Sequence, residues 1–183
     1  MVAIAPEATA AGGAGWLDGF LARWQTGSGP EREIREPATG RPLLTIAEST
    51  VEDVQRAAAA AAAAQPAWAE ANYQERAAVL RRAAEIYEAH RPEFGTWTQR
   101  ETGAHHNKMH HEQNFTAQEL HQAATMPSQA YGSLVPSAQP GRLSMVRRVP
   151  IGVVGAITPW NSPSVLGMRV VGPALALGNA VII

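Results

Sequence analysis

The sequence contains no cysteine. That absence excludes a disulfide framework, a thiolate metal site and any cysteine nucleophile supplied by these 183 residues. An excess of charge is missing too: 15 Lys+Arg stand against 16 Asp+Glu, a formal net charge of −1. Such a balance offers no electrostatic attraction to nucleic acid or to an anionic membrane. No run approaches the ~18 apolar residues of a membrane span. The opening "MVAIAPEATAAGGAGW" lacks the basic and apolar regions of a signal peptide. The expected location is therefore the cytoplasm, with no nucleic-acid and no membrane partner.

What is present describes a globular protein. A chain of 183 residues that is 45% hydrophobic can bury one real core. Residues 1–14, rich in Ala and Gly, read as a flexible tail. In "REPATGRPLLTIAEST" (35–50), Pro37 and Gly40 supply a turn between two strands. Thr50 and Asp53 have the spacing of a capping box, which predicts a helix through the eight alanines 57–64 that ends before Pro66. Asn72 and Glu75 predict a second cap. In the helix that follows, Ala77, Leu80, Ala84 and Tyr87 share a core face, and Arg76, Arg81, Arg82 and Glu85 are left to water. A short helix from Pro92, carrying Phe94 and Trp97, is expected to end at Gly103.

A longer helix, about 105–125, opens on "AHHNKMHHEQN", which holds four of the chain's six histidines. His106 and His110 lie four apart and share a face, the spacing two metal-ligating imidazoles need. No cysteine and no H-E-x-x-H accompanies them, so an exposed polar face is the better reading and no metal ligand is assigned. Residues 127–141 read as loop. "RLSMVRRVP" (142–150) alternates into a half-exposed strand that another subunit could complete. Beyond Pro150 follow a buried type of strand (151–157), an apolar helix (163–177), Gly178, and the start of a second buried strand in "NAVII". Strand, helix, strand is the first half of a doubly wound parallel sheet.

A strand that ends in a Pro-fixed turn before a helix puts its last residues at the carboxyl edge of the sheet, where open α/β sheets bind ligands. Asn161 would hold a neutral amide donor at that edge, able to stabilise an oxyanion without itself titrating. Gly152 and Gly155 do not make G-x-G-x-x-G, so the usual dinucleotide phosphate loop is absent. Motif chemistry alone leaves two readings open, a structural α/β turn and an active-site edge.

The segment "RRVPIGVVGAITPWNSPSVLGMRVVGPALALGNAVII" resembles the aldehyde dehydrogenase superfamily, with its P-x-G-V-x-x-x-I-x-P-W-N-x-P and P-A-L-A-x-G-N runs. The likeness extends upstream through "EPATGRPL", "PAW", "ERAAVLRRAAEIYEAH" and "ETG", and is nearest in tone to benzaldehyde-type members. The resemblance implies an α/β fold: an N-terminal helical and hairpin region (15–138), a strand of the oligomerisation region (139–150), and the first strand-helix-strand of a Rossmann-like sheet (151–183), cut after its second strand. It implies NAD- or NADP-dependent oxidation of an aldehyde substrate to a carboxylic acid by a homo-oligomer. By motif match, Asn161 is the catalytic oxyanion donor, and Ile157, Thr158, Pro159 and Trp160 line the cofactor groove, largely through main-chain atoms. Ser162 stands where many members carry a phenylalanine of the substrate tunnel. The remaining wall would come from Phe115 or Met109 together with Val165.

The family's lysine, glycine motif, glutamate and cysteine have no counterpart before Ile183. The expectation is an N-terminal part of such an enzyme, inactive alone. A non-catalytic chain that joins full-length subunits through 142–149 is the second reading. An independent ligand-binding module is third, because it would leave 179–183 as an exposed apolar edge.

Overall fold

A computed structural model describes residues 26–183. The tail expected at 1–14 lies outside the described residues. The first elements are a hairpin, β1 (Glu31–Arg35) and β2 (Pro42–Ala47), paired antiparallel with Ile34 opposite Leu44. Its turn falls at the expected Pro37–Gly40. Thr50 and Asp53 then form both halves of the expected capping box at the start of helix α1 (Val51–Glu70). The Asp53 carboxylate also accepts from the Ser28 backbone N–H at 2.8 Å, which ties the entry of the chain to this helix start.

Helix α1 does not stop at Pro66 as the sequence suggests. Proline withdraws one amide from the ladder, but the last turn is held from outside. Trp68 Nε1 donates to the Leu175 carbonyl at 2.9 Å, and Gln65 Nε2 donates to the Gly178 carbonyl at 2.8 Å. Tertiary hydrogen bonds thus carry the helix to Glu70.

Helices α2 (Tyr73–Ala89), α3 (Arg91–Thr102) and α4 (His106–Thr125) follow, with α2 opened by the Asn72/Glu75 capping box and α3 closed at Gly103. Ala77, Leu80, Ala84 and Tyr87 are buried, as their spacing predicts. Arg76 is a correction, because it is buried rather than left to water. Its Nε donates to the Ala176 carbonyl at 3.1 Å, and its Nη atoms reach the Ala69 and Ala71 carbonyls and the Tyr131 hydroxyl. Carbonyls at two helix ends, otherwise orphaned, account for its place in the interior.

The stretch 127–141 is likewise not all loop. After a 3₁₀ turn (Met126–Ser128), β3 (Gly132–Val135) pairs antiparallel with β4 (Ser144–Arg147). Leu134, Met145 and Val146 remain exposed on this ribbon.

The last unit is β5 (Val153–Gly155), helix α5 (Pro163–Ala176) and β6 (Ala180–Ile182), with β5 and β6 parallel and Val154 opposite Val181. The strands are shorter and less covered than the apolar runs suggest: Ile151 and Ile157 both lie exposed. Gly178 turns the chain from α5 into β6 with φ +87°, and a Cβ there would lie 3.2 Å from Ala69 Cα. That is a conformation and a clearance only glycine meets easily.

The core lies where α2, α4 and α5 meet. One cluster joins Leu80, Ala123, Ala124 and Ala176, and another joins Ala84, Tyr87, Ala117 and Leu120. So many alanines let the three helices approach closely, and α5 is thereby fixed against α4. Among the described residues no helix is long and apolar enough to cross a membrane.

Candidate active site

The site is built where β5 gives way to α5. The Ala156 N–H still bonds the Ile182 carbonyl at 2.8 Å, after which the chain leaves the sheet. Residues 157–159 then run free of secondary structure, and a turn at 160–161 leads into α5. Ile157 is 99% exposed and Trp160 84%. Pro159 and Asn161 are also exposed, and Thr158 is half-buried near Gly167. Among the described residues the Asn161 amide makes no hydrogen bond, so both of its N–H donors are available. The structure thus brings Ile157, Thr158, Pro159, Trp160 and Asn161 together on one open strip at the carboxyl edge of the parallel pair.

Ser162 is the N-cap residue of α5, yet its side chain makes no capping hydrogen bond. An acceptor from α4 takes over that task. Glu112 Oε1 accepts from the Ser164 N–H at 2.9 Å, and Glu112 Oε2 pairs with Lys108 Nζ at 3.1 Å. The Glu112 side chain is only 2% exposed. Its backbone carbonyl accepts from Thr116 Oγ1 at 2.8 Å. Burial raises the nearby Tyr87 phenol above its usual value, and the charge on Glu112 adds to that shift.

The residues expected to wall the substrate are less convergent. Phe115 follows Glu112 by three positions on α4, half exposed, and its ring stacks on His111 with centroids 6.4 Å apart. Met109 is buried, and its sulfur faces Gly95 of α3. Val165 is 6% exposed, so it backs the first turn of α5 rather than facing an opening. Ser162 is half-buried beside Asn161.

The histidines divide their tasks. His105 caps α4, accepting from the Asn107 N–H at 3.3 Å. The Nε2 atoms of His106 and His110 lie 2.9 Å apart, so one ring donates to the other. Among the described residues no cluster of three ligating side chains forms around them.

Two residues of the site region escaped the sequence reading. Glu112 had a signal, because it falls on the buried stripe of α4 with Met109, Thr116 and Leu120. An acid on an apolar face needs a partner. Asn179 was seen only as one letter of a motif. It is a buried staple whose Oδ1 accepts from the Ile151 and Gly152 N–H groups and whose Nδ2 donates to the Ala174 carbonyl at 3.1 Å.

The aldehyde dehydrogenase family model matches residues 24–183. The chain belongs to the aldehyde dehydrogenase family. It is 46% identical over 164 residues to a vanillin dehydrogenase of Amycolatopsis sp., covering 90% of this chain and 34% of that protein. It is 44% identical to a benzaldehyde dehydrogenase [NAD(+)] of Pseudomonas putida, with the same 90% and 34% coverage. The crystal structure of an NAD-dependent benzaldehyde dehydrogenase from Corynebacterium glutamicum superposes with a TM-score of 0.83 at 36% identity, over 87% of this chain and 35% of that one. The aldehyde dehydrogenase chain described here therefore spans about a third of the length of the curated relatives it matches. Its mixed helix and sheet architecture, with short strands, is that of a Rossmann-like aldehyde dehydrogenase.

Proposed function

We propose that these residues form the oxyanion and cofactor edge of an NAD(P)-dependent enzyme that oxidises aromatic aldehydes to carboxylic acids. The observation that carries the reading is Asn161: an exposed side-chain amide, unpartnered among the described residues, at the carboxyl edge of a parallel strand pair in an aldehyde dehydrogenase chain. Its Nδ2–H donates to the aldehyde oxygen as a nucleophile adds and negative charge develops there. Such a donor favours the charged state over the ground-state carbonyl. With no cysteine in the chain, the thiol nucleophile comes from outside these 183 residues, and they alone do not turn over aldehyde.

A nicotinamide dinucleotide fits this edge. The main-chain N–H groups of Ile157, Thr158 and Trp160 are unused within the described residues, and the exposed Ile157 and Trp160 side chains provide apolar contact. Ile157, Thr158, Pro159 and Trp160 would hold it. When bound, the cofactor supplies the hydride acceptor. The vanillin and benzaldehyde dehydrogenases among the relatives support an aromatic substrate. Exposed Leu134, Met145 and Val146 on the β3–β4 ribbon support homo-oligomer contacts there.

The test is Asn161→Ala in the active protein that carries these residues. Rapid-mixing measurement of the first NAD(P)H burst is expected to show acylation slowed by about 10²–10³, with aldehyde affinity changed less. An unchanged burst rate would assign Asn161 to the turn alone.

A further inference from the structure

We propose that Glu112 is the positioning residue that aims Asn161, acting through the first turn of α5. The inference rests on the reading of Asn161 as the oxyanion donor. Asn161 lies three residues before Ser164, and its side-chain amide has no hydrogen-bond partner among the described residues, so nothing within the strip aims it. The N-cap side chain does not hold it either, since Ser162 makes no capping bond. The first turn of α5 is fixed from α4 instead, by the 2.9 Å bond from the Ser164 N–H to Glu112 Oε1.

Glu112 is well suited to aim rather than merely to fill space. Its side chain is 2% exposed, and its second oxygen is engaged by Lys108, which leaves the first with one direction to point. A buried acceptor with both oxygens occupied has few alternative rotamers, so the turn it holds has few alternative positions. The next ionic link between the two helices, Arg169 Nε to Glu119 Oε1 at 2.8 Å, lies more than a turn further along α5 and cannot replace it at the donor end. An oxyanion donor is useful only when pre-aimed, and a displacement of about 1 Å can cost about 100-fold in rate.

Two variants separate reach from charge. Glu112→Asp keeps the carboxylate but withdraws it from the Ser164 N–H by one methylene, whereas Glu112→Gln keeps the oxygen at full reach and drops the charge. In the active protein, Glu112→Asp is expected to slow the acylation burst by about 10–100-fold, with the aldehyde KM changed little. Glu112→Gln keeps one oxygen for the Ser164 N–H but turns an NH2 group toward Lys108, and should slow the burst less than Glu112→Asp does. In the Asn161→Ala background, Glu112→Asp should cost nothing further, because a residue acting through Asn161 has nothing left to aim.

An Asp variant with an unaltered burst, a Gln variant as slow as Asp, or multiplying losses in the double variant would each overturn the positioning role. Failure of the Asn161 reading looks different, since the single Asn161→Ala variant would then retain its burst. Should Glu112→Asp fail to fold, Glu112→Ala set against Glu112→Gln decides: a burst slowed in the Ala variant and much less in the Gln variant supports an acceptor held at full reach, and equal bursts overturn it.

Discussion

The side-chain oxygen of Asn179 accepts the backbone N–H of Ile151 at 2.7 Å, joining the residue directly before β6 to the segment that leads into β5. The same oxygen takes the Gly152 N–H at 3.1 Å, and the Asn179 amide donates back to the Ala174 carbonyl. One buried side chain thus fixes the start of β5, the end of α5 and the start of β6 together. Asn179→Ala would strand two backbone donors, at about 1–3 kcal/mol for a buried group left unpaired. The expected result is a lowered urea midpoint without a changed slope. Asn179→Asp keeps the acceptor but turns an oxygen onto the Ala174 carbonyl, so it should lose less than the Ala variant only at a pH low enough to protonate the new carboxyl. Equal losses for the two variants at that pH would show that the acceptor is not what matters.

Helix α5 is also set by how closely it approaches α4. A Cβ at Gly172 would lie 2.8 Å from Ala123 Cβ, closer than two methyl groups pack. Gly172→Ala gains up to about 1 kcal/mol of helix propensity but meets an overpacking cost of about 1–3 kcal/mol. The cost wins, and the variant is expected to unfold at lower denaturant. Gly172→Ala combined with Ala123→Gly exchanges the methyl across the interface and should recover most of the loss. A single variant as stable as wild type would mean that the helices part without penalty.

Legibility in the sequence followed the range of each interaction. Both capping boxes were readable because their partners lie three residues apart, and the buried face of α2 because its period is local. Arg76 was not, since its partners Tyr131 and Ala176 lie 55 and 100 residues away. Pro66 misled for the same reason, the turn beyond it being held by carbonyls of Leu175 and Gly178. Strand β3 begins with Gly and Ser, weak strand formers, and is made by its pairing with β4. At the candidate site, motif residues 157–161 are contiguous and follow β5 directly, so their shared location needs no tertiary information. The acid that anchors the turn came from a different helix, and only its place on an apolar stripe betrayed it.

Acid sensitivity should trace to Asp53. Backbone N–H bonds from Thr50 and Ser28 hold its carboxyl well below the usual carboxylate range, despite some opposing desolvation. A folded pKa below the unfolded one means that the contribution is complete at neutral pH. It is lost as pH falls below about 4, where the unfolded carboxyl takes up its proton first. Asp53→Asn should therefore be less stable at pH 7 and should show a flatter decline between about pH 4 and pH 2 than wild type. Parallel acid limbs for the two proteins would place the acid-sensitive group elsewhere.

Substrate choice should turn on Ser162. Its hydroxyl makes no capping bond, and its backbone carbonyl is committed to the Leu166 N–H at 3.1 Å, so the side chain is free to be replaced without unmaking the start of α5. The small side chain at 162 occupies little of the room beside Asn161 and the proposed oxyanion site. A phenyl group at 162 would occupy that room. Ser162→Phe is expected to lower kcat/KM for bulky aromatic aldehydes by about 1–3 kcal/mol relative to short aliphatic ones, the range one pocket-filling change commands. Both substrate classes should be measured on both proteins under limiting aldehyde and saturating cofactor. A loss shared equally by aromatic and aliphatic substrates would point to a displaced Asn161, and no loss at all would remove Ser162 from the substrate wall.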